Sequence, residues 1–207
     1  MERPGPQDHA LAHDSLARLR ELDALTAAPL LLGARIERRL PSGEQLVARI
    51  VETEAYLGAA DAASHAARGP TPRNAVMFGE GGFAYVYFTY GMHHCFNVVC
   101  GARGEAGAVL VRAAEPLRGR AAMAHLRKRA PEAPATELAS GPGKLCQALA
   151  IDRTLNGHDL AKEPLRLRID WGAEPAGEVA SGPRVGIRLA RDLPWRFWLR
   201  GNPHVSR

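Results

Sequence analysis

The sequence predicts an α+β fold: a single domain with a curved antiparallel sheet, flanking helices and a protruding β-hairpin. Three observations lead there. Residues 35–56 hold two β-rich runs joined by Pro41-Ser-Gly-Glu, and residues 83–100 hold two more joined at Gly91-Met92, so neighbouring strands are hairpin-connected. Leucines at helical spacing and Gly/Pro-bounded apolar segments lie before, between and after these pairs, which puts helices on the flanks of the sheet. The 207 residues suffice for one substantial core and are short for two. We therefore expect a loose N-terminal tail over residues 1–12 and one domain over 13–207.

In order along the chain, Ser15 to Leu25 places Leu16, Leu19 and Leu22 on one helical face, with Asp14 or Ser15 as cap. Thr26 to Leu32 reads as a second short helix closed by Gly33. Arg35 to Leu40 and Gln45 to Tyr56 form the first hairpin. Residues 57–82 contain seven glycines and prolines, a long structured loop of the kind that usually carries function. Phe83 to Tyr90 and His93 to Cys100 are β-branched and aromatic, and Gly91-Met92 suits a two-residue type II′ turn. Ala108 to Ala114 is a strand, Pro116 to Arg129 a helix, 130–138 a Pro-rich connection, and Lys144 to Ile151 a short helix entered from Ser140-Gly-Pro-Gly. Leu165 to Asp170, Arg184 to Ala190 and Trp195 to Leu199 read as late strands.

Lys and Arg number 27 against 22 Asp and Glu, with a pI near 9.5, a modest excess that favours an anionic partner such as nucleic acid. Three cysteines with no Cys-x-x-Cys pair argue against a disulfide framework or a four-cysteine zinc site and fit a reducing cytoplasm. No apolar run reaches membrane-spanning length and no signal core stands at the start, so neither a membrane nor a targeting signal is expected.

The chemistry-bearing residues begin in the second strand. Alternation puts Glu52, Glu54 and Tyr56 on one face, continuing an apolar one, which suggests a pocket wall; solvated acids at a strand end explain the same pattern about as well. Asp61 could cap a short helix that projects His65 one turn later. In the aromatic hairpin Tyr85, Tyr87 and Thr89 face one way and Val86, Phe88 and Tyr90 the other, with Tyr90 at the tip. An aromatic there suits insertion between base steps, or packing on a neighbouring loop. Asn97 is an amide in an apolar run and needs a partner. The type II′ register sets Asn97 opposite Val86, so a bulge would be required if Tyr87 and Asn97 line one pocket. Arg112 interrupts a buried-looking strand and calls for a carboxylate, Glu54 or Glu115. His93-His94-Cys95 is rejected as a metal site, because neighbours in a strand point to opposite faces. Ser140-Gly141-Pro-Gly-Lys144 lacks the phosphate-loop pattern but offers backbone N–H groups and a lysine for a phosphate. His125 to Arg129 is a solvated helix face.

At these residues the sequence resembles the 3-methyladenine (alkyladenine) DNA glycosylases. The resemblance is carried by Val51-Glu-Thr-Glu-Ala-Tyr-Leu-Gly58, Asp61 to His65, Thr71-Pro-Arg-Asn74, Met77-Phe78, Tyr85-Val-Tyr87, Tyr90-Gly-Met92 and Asn97. It continues through Val111 to Leu117, Leu138 to Leu149 and Pro194 to Pro203, in order from about residue 25 onward. It implies a hairpin that enters the DNA minor groove and a pocket that receives a flipped purine. By position, Glu54 becomes the general base that activates a water, and Arg112 helps place it. Tyr56 and Tyr87 sandwich the base, His65 is its edge neighbour, Asn97 stands where a guanine amino group would clash, and Tyr90 fills the stack. Thr71, Arg73, Met92, Ser140, Gly141 and Lys144 fall at DNA-backbone contacts. His93-His94 and a shorter stretch between His65 and Thr71 depart from some relatives and bear on phosphate and opposite-strand contacts.

The implied activity is monofunctional hydrolysis of the N-glycosidic bond of alkylated or deaminated purines in double-stranded DNA, without metal or cofactor, by a cytoplasmic, nucleoid-associated monomer. The competing reading is a non-catalytic damaged-DNA binding module that kept the pocket.

Overall fold

A computed structural model describes residues 16–89, 91–173 and 177–206. After a short 3-10 turn at Arg18–Arg20, helix α1 spans Ala24–Leu30, with Asp23 as cap: its carboxylate accepts the Thr26 N–H at 2.7 Å. The helix expected over Ser15–Leu25 is thus divided. The chain breaks at Asp23, which satisfies a first-turn donor better than a helix interior would. The proposed caps Asp14 and Ser15, and the 1–12 tail, lie outside the described residues.

Among the described residues eight strands form one antiparallel sheet: β1 (Arg35–Arg39), β2 (Gln45–Leu57), β3 (Ala84–Thr89), β4 (His93–Val99), β5 (Gly107–Arg118), β6 (Leu165–Arg168), β7 (Val179–Gly182) and β8 (Arg196–Leu199). The order is β3-β4-β5-β2-β1-β6, with β8 pairing both β2 and β7. The 13-residue β2 is the axis. One edge lies along β5, and the other is shared in series by β1, up to Arg49, and β8, from Glu52 to Glu54. Two faces result. Val51, Ala55, Val86, Phe96, Val98, Val109, Val111 and Ala113 face the main core, where the Thr53 hydroxyl donates to the Ala28 carbonyl of α1 at 2.8 Å. The opposite face carries a small core of Ala66, Met77, Tyr85, Val99 and Ala108, and the candidate site. Among the described residues no helix is long and apolar enough to cross a membrane.

The α+β architecture, the single domain and the antiparallel sheet are as the sequence predicts, but several local expectations are corrected. Residues 116–118 extend β5 rather than begin a helix; Pro116 stands opposite Ala48 beside a register shift. Helix α2 (Arg120–Leu126) starts only after Gly119, whose φ of 80° and close approach to Leu46 leave no room for a side chain. A single turn, α3 (Ala135–Leu138), interrupts the predicted connection, and α4 covers Pro142–Ala148. No strand forms over Arg184–Ala190; the late strand is β7, just before it. Asp61 caps no helix, because residues 58–69 are a run of turns.

The hairpin register also differs. Thr89 pairs with His93, so three residues, 90–92, make the connection, with Gly91 at φ 68° and the Met92 N–H on the Thr89 carbonyl at 3.3 Å. The extra loop residue moves the return strand by one. Asn97 stands opposite Tyr85 and Cys95 opposite Tyr87, so all four share a face with no bulge in the hairpin. Tyr90, the predicted tip aromatic, lies outside the described residues.

Candidate active site

The site is built where β2 and β5 lose regular register. The ladder runs Ile50 opposite Ala114, then Glu52 opposite Ala113, then Thr53 opposite Val111, which leaves Val51 and Arg112 as unpaired residues on facing strands. Such irregularities re-aim side chains. Here Arg112 turns to both acids of β2: its Nε donates to Glu52 at 2.9 Å and its Nη1 lies 3.2 Å from Glu54 Oε1. Glu115, the other partner the sequence offered to Arg112, instead pairs with Arg49.

The two acids are both wholly buried (0 % exposed), yet their partners differ. Glu52 is saturated from the structural side by Arg112, by Arg196 Nε at 2.7 Å, and by the Ser206 N–H and hydroxyl at 2.7 and 2.9 Å. Glu54 accepts the Tyr56 hydroxyl at 2.8 Å on Oε2 and the Val185 N–H at 2.7 Å on Oε1. Burial raises the Glu54 carboxyl above its ordinary value; Arg112, the Val185 N–H and the Tyr56 hydroxyl oppose the shift and the Glu52 charge adds to it. For Arg112, burial acts downward but the two carboxylates outweigh it, so the guanidinium is held charged. Burial and the Glu54 charge push the Tyr56 phenol up, and burial with the Cys95 thiol does the same for Tyr87, so both rings stay neutral.

Beside this charge cluster lies a cavity of ≈ 500 Å³. Tyr56, Tyr87, His65, Asn97 and Arg112 all line it, so the sequence-predicted pocket residues converge. Tyr85 forms part of its wall: its hydroxyl meets His65 Nδ1 at 3.0 Å and its carbonyl accepts the Asn97 amide at 3.0 Å. The His65 ring packs edge-on against Tyr87, with centroids 4.5 Å apart. Partial burial, and then the Arg73 charge, lower the His65 pKa, favouring neutral imidazole.

The proposed backbone-contact residues occupy two places. Thr71 closes a turn with Asn74, its N–H on Asn74 Oδ1 at 2.6 Å, and the Arg73 guanidinium lies 5.4 Å from the Tyr87 ring centroid. Ser140 bridges to Ala113 of β5, and Gly141 precedes α4, which also carries exposed Lys144. His93 rests directly on Gly143, so α4 abuts the loop end of the hairpin, whose Met92 is 70 % exposed.

The sequence reading missed four contributors: Arg184, Val185, Ser206 and Arg196. Residues 185–189 form a cavity wall, and Arg184 is buried in a bidentate pair with Asp61 at 2.6 and 2.8 Å. The signal that exposed Arg112, an arginine in an apolar run, is absent at Arg184, which stands in the Gly/Pro-interrupted stretch Ser181-Gly-Pro-Arg-Val-Gly186.

Comparison with known proteins identifies the family. The pattern of the methylpurine-DNA glycosylase (MPG) family matches residues 18–203. A candidate 3-methyladenine DNA glycosylase of Carboxydothermus hydrogenoformans is 51% identical over 187 residues, covering 89% of this chain and 94% of that protein. A similarly named protein of Burkholderia lata is 46% identical over 185 residues, covering 88% and 86% of the two chains. One of Methanocella arvoryzae is 46% identical over 187 residues, covering 88% and 90%. With the family pattern spanning almost the whole chain and these relatives matching most of both sequences, the chain belongs to the methylpurine-DNA glycosylase family.

Proposed function

We propose that this protein is a monofunctional DNA glycosylase. It flips an alkylated or deaminated purine out of duplex DNA and hydrolyses its N-glycosidic bond, leaving an abasic site. The observation that carries the reading is Glu54. A buried carboxylate, raised in pKa, stands behind Tyr56, Arg112 and Val185 of the cavity wall, accepts two hydrogen bonds and is ion-paired to Arg112. An ionised carboxylate has about four acceptor sites, so acceptor capacity remains for a water. Glu54 takes a proton from that water as its oxygen bonds to the sugar C1′. The C1′–N bond breaks and its electron pair leaves with the base. The Glu54 charge offsets the positive charge that grows on the sugar, and Arg112 helps hold the water.

Tyr56 and Tyr87 stack the base, a volume of ≈ 500 Å³ accommodates a bicyclic purine, and His65 and Asn97 meet its edges. Purines alkylated at N3 or N7 are cationic, stack well on electron-rich rings and leave readily, so a single carboxylate suffices. Among the described residues no lysine lines the cavity, in keeping with a reaction that ends at hydrolysis without a Schiff-base lyase step. Tyr90 enters the stack at the vacated position, and Met92 contacts the DNA backbone. Thr71 and Arg73 on one side, and Ser140, Gly141 and Lys144 beside the hairpin, contact the phosphate backbone. The protein acts as a monomer, with double-stranded DNA as its partner, and needs no metal.

The test uses duplexes carrying 3-methyladenine, 7-methylguanine, hypoxanthine or ethenoadenine, with wild type and Glu54→Gln, in EDTA. Release by wild type and loss by about 10²–10⁴-fold in the variant, with lesion binding retained, is the expected result. Lesion binding without release by wild type identifies a damage-binding module, and release abolished only by EDTA identifies a metal requirement.

A further inference from the structure

Asp61 and Arg184 form the only ion pair among the described residues in which both side chains are fully buried. A buried pair is a poor source of net stability, since desolvation offsets most of its attraction. Its neighbours are therefore more informative than its existence. Asp61 accepts the N–H of Leu57, just past Tyr56, at 3.3 Å, and the N–H of Ala63, in the cavity wall, at 3.0 Å. Arg184 donates to the Ala55 carbonyl at 2.9 Å and lies 4.6 Å from the Tyr56 ring centroid and 5.0 Å from that of Trp195. The next residue, Val185, gives its N–H to Glu54. One guanidinium thus ties together the end of β2, the loop that carries His65 and the 185–189 wall.

We infer that the Asp61–Arg184 pair is a positioning device: it fixes the plane of Tyr56 and keeps the Val185 N–H on the Glu54 carboxylate. This rests on the reading of Glu54 as the base. The arrangement is specific to arginine. A planar fork meets both Asp61 oxygens while lying against two aromatic rings, whereas an ammonium group can do only one of these. If the guanidinium is lost, Val185 is no longer anchored and Glu54 loses a charge-assisted hydrogen bond.

The groups facing Glu54 set the expected titration. Glu52 and Tyr56 lie on its own strand, Arg112 on β5 and Cys95 on β4. Arg196 stands opposite it on β8 with its guanidinium turned to Glu52. Arg184→Lys leaves all of these in place and keeps one positive charge. With the Val185 donor gone, Glu54 should hold its proton to a pH higher by about one unit, the equivalent of one hydrogen bond to a charged group.

The experiment is a carbon-13 titration of the Glu54 carboxyl in the full chain, assigned with Glu54→Gln, for wild type, Arg184→Lys and Asp61→Asn. It is paired with single-turnover excision across pH and with circular dichroism as a fold control. The expected result is an upward shift of the Glu54 titration in both variants, a matching shift of the acid limb, and a plateau rate lower by about 100-fold. An unmoved Glu54 titration in a folded variant overturns the inference, whatever happens to the rate. If Arg184→Lys does not fold, Asp61→Asn, which keeps the side-chain volume, decides. If wild type releases no base, the proposed excision fails, and the titration still judges the pair.

Discussion

Glu52→Gln tests the separation of roles between the two buried acids. Glu52 Oε1 takes three donors, from Arg112, Arg196 and the Ser206 hydroxyl, and Oε2 takes the Ser206 N–H. A glutamine fits best with its oxygen at the three-donor position, which sets its NH₂ against the Ser206 N–H at a 2.7 Å approach. One bond to a charged group is lost, about 1.5–3 kcal/mol. The remaining three lose their anionic acceptor while the Arg112 guanidinium stays buried and that of Arg196 partly buried, so the total is about 3–5 kcal/mol, as for one partner removed from a buried pair. For a chain of this length, the melting temperature should fall by roughly 6–20 °C. Excision by the folded fraction should persist, with its acid limb at lower pH, because the Glu52 charge is one of the causes that raise Glu54. Thermal melting and single-turnover excision across pH measure both effects. A melting change below about 2 °C, or complete loss of excision by folded protein, refutes the supporting role.

For wild type, the raised Glu54 pKa puts the acid limb of excision above the ordinary carboxylate value of about 4.3, with the rate falling as pH drops through it; a limb at or below that value contradicts the burial argument. Tyr85→Phe removes the hydroxyl on His65 Nδ1 and should lower stability by about 1 kcal/mol and alter the nitrogen-15 shifts of His65; unchanged shifts exclude that contact. Gly143→Ala places a Cβ 3.0 Å from the His93 ring, so duplex affinity should drop by about tenfold and recover in the Gly143→Ala/His93→Ala double variant, as read by fluorescence anisotropy. Wild-type affinity in the single variant removes any role for that contact in aiming the hairpin.

Much of the site was legible locally. Period-two alternation put Glu52, Glu54 and Tyr56 on one face, and Tyr85, Tyr87 and Thr89 on another, and the cavity is lined from both. What escaped was set by partners distant in sequence. Arg184 meets Asp61 across 123 positions, and nothing local to either residue marks the pairing. The alternation of Arg184–Ala190 reads as a strand, but the Val185 N–H goes to a carboxylate side chain rather than to a ladder. Residues 116–118 suit a helix, yet pairing with β2 holds them extended until Gly119. The hairpin offset came from counting two loop residues where a left-handed Gly91 sits within three, and in a β-structure one position exchanges the faces.

The unpaired Val51 and Arg112 have a consequence for chain length. They lie on facing strands, so their offsets cancel: Ile50 opposite Ala114 and Thr53 opposite Val111 belong to the same register. The sheet takes up a local blister and then resumes its phase. Losing Val51 alone would leave Arg112 uncompensated. To keep pairing, the rest of β2 would have to slide by one, exchanging Thr53 with Glu54 between the helical core and the cavity. The segment between Ile50 and Glu54 is therefore far less tolerant of a deletion than of a substitution. Val51 supports the placement of Glu52 and Glu54 by occupying a position, whatever apolar side chain stands there.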